Sequence, residues 1–159
     1  MHFEYEFEHI RNGEVIDTFR QKNLIPIQGY NHMLDVTCHG GTQVSTWYVA
    51  IYEGNFTPSS TDTAASLPAA AVECTAYAEA TRPTWNEGAV SGGVVTNVDN
   101  KAEFTMNATK TLYGCWLTSV SGKSSTSGVA LSVVRFSTPK TCESGDVFRV
   151  TAPVTLTAS

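Results

Sequence analysis

The sequence predicts an all-β fold, an antiparallel β-sandwich or jelly roll with an N-terminal β-hairpin arm and one short helix. Apolar and polar residues alternate with a period of two near the N-terminus and again from Gly88 onward, as in half-buried strands. Turn-rich segments separate these runs at spacings typical of antiparallel sandwiches and barrels. The length of 159 residues and the hydrophobic content of 42% suit one core-forming domain. We therefore expect a hairpin arm over residues 1–22 and a β-sandwich domain over residues 23–159.

The hairpin arm is predicted by its alternation and by its turn. Phe3, Tyr5 and Phe7 occupy one face of the first limb, and glutamates between them occupy the other face. Asn12 and Gly13 follow, and both tolerate the positive φ angles that a type I′ turn requires. Aromatic rings exposed on a terminal hairpin would promote aggregation, so a neighbouring subunit or the chain's own core must cover them. Phe3, Tyr5 and Phe7 are therefore candidate interface residues, and packing on the chain's own core is the alternative.

The short helix is predicted between Pro26 and Val36, where apolar residues recur near helical spacing. Asn23 precedes it as a candidate capping residue, and Gly29 weakens the helical propensity of the segment. Between Asn55 and Pro68, the residues Pro58 to Thr63 are predicted to form a loop that is too polar for a core. The alanine-rich segment from Ala69 to Ala80 fits either a helix or a strand.

The strands of the sandwich are predicted from runs of alternating or β-branched residues. The clearest run places Phe104 and Met106 on one face, so these side chains are expected in the core. In a neighbouring run, Cys115 is expected on the same face as Tyr113 and Leu117. The predicted strands are Thr46 to Tyr52, Lys101 to Ala108, Thr111 to Ser119, Gly128 to Phe136 and Val147 to Ala158.

The charge balance argues against direct nucleic-acid binding. Lys and Arg number 10 against 15 Asp and Glu, and the resulting net charge of -5 would repel a phosphate backbone. The first residues are acidic where a secretory leader would be basic, and no apolar run approaches the roughly 20 residues of a membrane span. We therefore expect synthesis in a cytoplasm and no membrane partner. The widely spaced Cys38, Cys74, Cys115 and Cys142 are then expected to be free thiols.

The segments that resemble catalytic or ligand-binding motifs lack the required context. Gly122-Lys123-Ser124 resembles part of a phosphate loop, but Leu117 stands where that motif needs a glycine, so a flexible loop is expected. The four histidines do not form the tight pairs of structural zinc sites and are expected at the surface or at caps. Turn carboxylates such as Asp146 are expected to be solvated. The sequence therefore predicts no catalytic, cofactor or metal site, and we expect that the protein is not an enzyme.

Three tryptophans and one arginine are candidates for packing or recognition. Trp47 and Trp116 lie inside predicted strands, which favours the core, and a role as sugar-binding platforms is the alternative. Trp85 fits loop packing and an interface equally well. Arg82 precedes Pro83, which favours extended backbone and presents the arginine to a carboxylate of this chain or of a neighbour. Arg82 and Trp85 therefore complete the set of candidate interface residues.

Several motifs follow one another in a characteristic order. They are Trp47 to Gly54, the turn Asp62-Thr63, Tyr77 to Trp85, Asn97, the run Ala102 to Ala108, Gly114 and Gly145-Asp146. This order resembles a family of small virion proteins of tailed bacteriophages and prophages, whose better-understood members look like jelly-roll cementing, or decoration, proteins of the head. The resemblance extends from about Asn23 to about Ala158, the size of an ordinary domain.

The resemblance implies a structural virion protein, which would bind the outer surface of a phage head and stabilise the shell. Its expected partners are the major capsid protein and further copies of itself, as a dimer or a trimer. Its expected location is the capsid surface of the virion. The alternatives are a tail, fibre or baseplate component, a carbohydrate-binding β-sandwich module, and an unrecognised hydrolase.

Overall fold

The computed structural model describes residues 4–156, and most of its regular structure consists of antiparallel strands. The predicted all-β class is therefore confirmed. The elements in chain order are β1 (Glu4–Arg11), β2 (Glu14–Leu24), α1 (Ile27–Cys38), β3 (Trp47–Tyr52), α2 (Leu67–Ala70), β4 (Thr84–Trp85), β5 (Val94–Val95), β6 (Ala102–Thr105), β7 (Lys110–Thr118), β8 (Ala130–Cys142), β9 (Val147–Thr151) and β10 (Val154–Thr155).

Eight strands are connected in the order β4-β3-β7-β8-β2-β1-β9-β6, and all paired neighbours are antiparallel. Strand β2 pairs with β1 along most of its length, but it pairs with β8 only through Asn23 and Leu24. This narrow connection divides the sheet into two halves, β4-β3-β7-β8 and β2-β1-β9-β6. The two halves enclose a shared core as a nearly closed, barrel-like sandwich. Strands β5 and β10 form a separate two-stranded ladder.

The N-terminal hairpin, from Glu4 onward, is an integral part of this sheet. Strand β1 pairs with β2 on one side and with β9 on the other. The expected division into an arm over residues 1–22 and a sandwich over residues 23–159 is therefore corrected. Alternation in a sequence indicates which side chains share a face, whereas the neighbours of a strand depend on remote residues. The turn is as predicted, because Asn12 and Gly13 have φ angles of 52° and 81°.

The five predicted strands are observed with shifts of one or two residues at most ends and with three larger differences. Strand β6 ends before the predicted Ala108, yet Phe104 and Met106 are buried as predicted. Strand β8 continues beyond the predicted Phe136 to Cys142. The predicted C-terminal strand is divided into β9 and β10 around Pro153, and its last two residues lie outside the described part of the chain.

Strands β3, β7 and β8 carry hydrophobic clusters on both faces. The larger cluster fills the space between the halves of the sheet. The smaller cluster includes Tyr52 and Trp116 and is covered by residues 53–73. Ala64 and Leu67 are buried there, directly after the stretch from Pro58 to Thr63 that was predicted to be a polar loop. Small apolar residues that follow the predicted polar loop supply this cover.

The pairing of β7 with β8 is interrupted beside Tyr113. The register slips between Leu112 and Gly114. Cys115 and Leu117 lie in the larger cluster, whereas Tyr113 packs against the smaller one. The expectation that Tyr113 shares a face with Cys115 is wrong, because a β-bulge breaks the period of two.

Helix α1 starts one residue after the predicted position and extends two residues past the predicted end. Pro26 occupies the N-cap position instead of Asn23, which lies in β2. A Cβ atom at Gly29 would lie 2.4 Å from the carbonyl oxygen of Leu131, so glycine allows the helix to lie directly against β8. Among residues 4–156, no helix is both long enough and apolar enough to cross a membrane.

Candidate functional site

Tyr5 and Phe7, two of the predicted interface residues, lie inside the chain's own core with no exposed surface. The hydroxyl group of Tyr5 forms a hydrogen bond with the hydroxyl group of Ser132. The ring of Phe7 has its centre 4.9 Å from that of Phe19 and 4.7 Å from that of Phe136. The interface assignment of Tyr5 and Phe7 is therefore corrected, because the opposite half of the sheet already covers both rings. Phe3 lies outside the described residues.

Trp85 is also internal, with only 4% of its surface exposed. Its indole N–H donates a hydrogen bond to the carbonyl oxygen of Ala152 at 3.0 Å. Loop packing is therefore the observed role, and the interface assignment of Trp85 is corrected. Trp47 lies opposite Trp85 across the β3–β4 pair and is only half-buried, whereas Trp116 is fully buried as predicted.

Arg82 forms an internal ion pair with Glu73, and the two side chains are each 1% exposed. The Nε and Nη2 atoms of Arg82 donate to the two carboxylate oxygens at 2.9 and 2.8 Å. This is the bidentate geometry that a planar guanidinium favours. The guanidinium carbon also lies 5.6 Å from the centre of the Trp116 ring. The interface assignment of Arg82 is therefore corrected, and the alternative of an internal tie is the observed one.

The same ion pair anchors the connection between β7 and β8. The guanidinium donates to the carbonyl oxygens of Val120 and Ser125 at 3.0 and 3.3 Å. The Glu73 carboxylate accepts a hydrogen bond from the backbone N–H of Ser124 at 2.9 Å. The expectation of a flexible loop is corrected, because a buried charge at its base holds the backbone in place.

A second buried polar cluster joins β1 to the turn between β8 and β9. The Nε2 atom of His9 lies 2.6 Å from Oδ2 of Asp146, and the Arg11 guanidinium donates to both carboxylate oxygens at 2.9 and 2.8 Å. The hydrogen bonds from Arg11, together with contacts from His9 and the Glu143 N–H, hold the pKa of Asp146 well below its usual range. The expectation that His9 and Asp146 lie at the surface is wrong. His9 continues the aromatic face of β1, so the alternation contained the signal.

Cys142 completes a group of three potential ligand atoms, since those of His9, Cys142 and Asp146 lie within 4.8 Å of one another. A zinc ion would have to compete with Arg11, which already neutralises the carboxylate through two hydrogen bonds. A nucleophile would need an accessible thiolate, whereas Cys142 is buried and its burial raises its pKa to about 12. We therefore interpret this cluster as an electrostatic tie between β1 and the following turn.

The outer face of the β2-β1-β9-β6 half of the sheet carries a network of ion pairs. These pairs neutralise most of the glutamates that alternate with buried residues. Exposed ion pairs contribute little to the stability of the fold, and their charged groups stay in contact with water on this face. Each pair joins a glutamate to a basic residue on another strand or at its start: Glu6 to Arg20, Glu8 to Lys101 and Glu103 to Arg149.

A surface groove with a volume of about 640 Å³ runs beside helix α1. Its lining is mainly apolar and includes Met33, Trp47, Trp85 and Leu131. The ring of His32 stands edge-on to Trp47, with ring centres 5.5 Å apart. Grooves of this volume are typical of binding sites. We therefore take the groove as the candidate binding surface; sequence reasoning identified its two tryptophans but could not bring them together.

The chain matches no protein-family model and no curated protein. The fold, the two buried polar ties and the groove are therefore the basis for a functional proposal.

Proposed function

We propose that this chain is a structural virion protein that decorates the outer surface of a tailed-phage head. The proposal is supported by the order of motifs from Trp47 to Asp146, which resembles that of small virion proteins. The structural observation that carries it is the internal anchoring of a surface connection by the buried pair of Arg82 and Glu73. A protein that stabilises a lattice benefits from pre-organised contact surfaces, because ordering a mobile segment on binding costs free energy.

The proposed mechanism is the bridging of neighbouring major capsid subunits. Such contacts would hold the shell against the internal pressure of packaged DNA. Several linked copies would bind more tightly than one, because each attachment raises the effective concentration of the next. The proposed partners are the major capsid protein and further copies of this chain. The net charge of -5 disfavours contact with the DNA itself, and no catalytic role is proposed.

The proposal is tested by mixing the purified protein with phage heads that lack it and, separately, with isolated tails. We expect the protein to sediment with the heads in a fixed ratio to the capsid subunits and to leave the tails unlabelled. Decorated heads should also release DNA at a higher temperature than bare heads. Sedimentation with tails alone would favour a tail, fibre or baseplate component.

A carbohydrate-binding module is the second candidate, because the half-buried Trp47 and the edge of Trp85 line one groove. Aromatic rings in a groove are suited to packing against a sugar ring. A glycan array provides the test, with Trp47→Ala as the variant and Tyr30→Ala as the control. Tyr30 is an exposed aromatic residue that does not line this groove. Binding that Trp47→Ala abolishes and Tyr30→Ala retains would favour this candidate over the capsid role.

A further inference from the structure

Two basic residues of this acidic chain, Lys22 and Arg135, have no carboxylate partner. The chain has ten Lys and Arg residues, all within residues 4–156, and seven of them form ion pairs with carboxylates. Of the other three, Lys123 donates a hydrogen bond to the carbonyl oxygen of Tyr77 at 3.0 Å and lies 3.8 Å from the centre of its ring. Lys22 and Arg135 are therefore the basic residues of the described chain whose charge meets neither a carboxylate nor an aromatic ring.

The strand register places these two residues opposite each other at the point where β2 and β8 stop pairing. The short ladder between the two strands ends with the pair of Asn23 and Val134. The next pair in the same register is Lys22 with Arg135. Residues directly opposite each other on antiparallel strands project from the same face of the sheet, and like charges in such positions repel each other. The fold thus holds two positive charges on one face without an anion between them.

Both residues line one surface depression, which has a volume of about 380 Å³. Its other described lining residues are uncharged, and they include the polar Gln21 and Ser137. Glu4 lies opposite Lys22 on β1, but it lines a different depression and forms no ion pair with Lys22. An anion in this depression would therefore meet two positive charges and no carboxylate, although the chain as a whole has a net charge of -5.

The Arg135 guanidinium is held in place by neutral acceptors and has donors to spare. Its Nη2 atom donates to Oδ1 of Asn55 at 2.7 Å, and its Nη1 atom donates to the carbonyl oxygen of Phe56 and to Oγ1 of Thr57. The Nε–H and one N–H of Nη2 have no acceptor among the described residues. Nε and Nη2 are the two atoms through which Arg82 binds its buried carboxylate, and such a pair of donors matches the two oxygens of a carboxylate.

We propose that this depression binds an acidic peptide segment of a partner protein, with one side-chain carboxylate of that segment held between Lys22 and Arg135. Leu24 and Pro58 line the same depression, and these apolar side chains favour a carboxylate on a peptide over a fully hydrated inorganic anion. The surrounding negative charge of the chain repels an acidic segment elsewhere, so the depression would also determine where the segment docks. This binding does not depend on the capsid assignment.

The test is an NMR titration of the isotope-labelled protein with a hexapeptide in which glutamate alternates with valine and both ends are blocked. The amide signals of residues 21–24 and 133–137 should shift as the peptide binds. The same peptide with glutamine in place of glutamate should cause no shift, and neither should inorganic phosphate at the same concentration. No shift with the glutamate peptide, or shifts confined to other parts of the chain, would overturn the proposal. Equal shifts with phosphate would also overturn it, because the site would then bind any oxyanion.

Substitutions at Lys22 then test the role of the paired charges. Lys22 is exposed, so Lys22→Gln should leave the fold intact and raise the dissociation constant of the glutamate peptide by about threefold or more. Lys22→Arg should restore the affinity of the parent, because it restores the charge. Lys123→Gln is the control, since it changes the net charge equally and Lys123 does not line the depression. A Lys22→Gln variant that binds the peptide like the parent, or a Lys123→Gln variant that loses as much affinity, would contradict the proposed site.

Discussion

Replacing Arg82 with methionine should destabilise the fold severely, although the new side chain is apolar and of similar length. The substitution removes two hydrogen bonds to Glu73 and leaves that carboxylate, which is 1% exposed, with the Ser124 N–H as its remaining donor in the structure. Breaking a buried ion pair by removing one partner costs about 3–5 kcal/mol. Two lost hydrogen bonds to a charged group, at about 1.5–3 kcal/mol each, give a similar figure. A domain with about 5–15 kcal/mol of stability would lose a large part of it.

The assay is urea unfolding of three variants, followed by tryptophan fluorescence. Arg20→Met is the matched control, because Arg20 pairs with Glu6 at the surface with 65% of its side chain exposed. Such exposed pairs contribute about 0–1 kcal/mol. The double variant Glu73→Leu with Arg82→Met should be more stable than Arg82→Met alone, since it removes the uncompensated charge. If the free energy of unfolding of Arg82→Met lies within about 1 kcal/mol of that of Arg20→Met, the proposed anchoring is wrong.

Four further predictions follow from the buried groups. Phe104→Ala should cost about 3–5 kcal/mol in urea unfolding, and a loss below about 0.5 kcal/mol would contradict its place in the core. Folding lowers the pKa of Asp146, so the ionised carboxylate stabilises the folded state. This contribution is fully present above the pKa of the unfolded chain, about 3.9, and is lost as the pH falls towards the lower pKa of the folded state. The free energy of unfolding of the parent should therefore fall more on acidification than that of Asp146→Asn. Parallel plots of this free energy against pH would contradict a stabilising role for the Asp146 carboxylate. A thiol reagent should titrate Cys38 rapidly in the native protein and all four cysteines after denaturation; several fast native thiols would contradict the burial of the other three. Deleting residues 1–22 removes β1 and most of β2, so circular dichroism should show an unfolded chain, and a folded product would restore the idea of a detachable arm.

The sequence was sufficient for the fold class and for most strand positions, because a period of two reports directly on which side chains share a face. Phe104 and Met106 were placed correctly for this reason. Strand neighbours could not be predicted, so the hairpin was interpreted as an arm although β1 lies between β2 and β9. The β-bulge beside Tyr113 could not be predicted from the sequence either, since it depends on the pairing of β7 with β8.

The candidate site was predicted only in part. The tie between Arg82 and a carboxylate was foreseen as an alternative, but its partner, Glu73, carries no local sequence signal for this role. His9 could have been assigned to the core from the alternation of β1, whereas burial of Asp146 depends on Arg11 from another hairpin. The groove could not be predicted, because Trp47, Trp85 and helix α1 come together only through the tertiary fold.

We propose that this chain lies on the outer surface of a phage head, and cryo-electron microscopy of phage particles made with this protein tests the proposal most directly. Density on the outside of the capsid, at junctions between major capsid subunits, should fit the eight-stranded sheet with its connections as described. That density should disappear from particles made without this protein and return when purified protein is added. Density for this chain in the tail, or purified particles without it, would contradict the account.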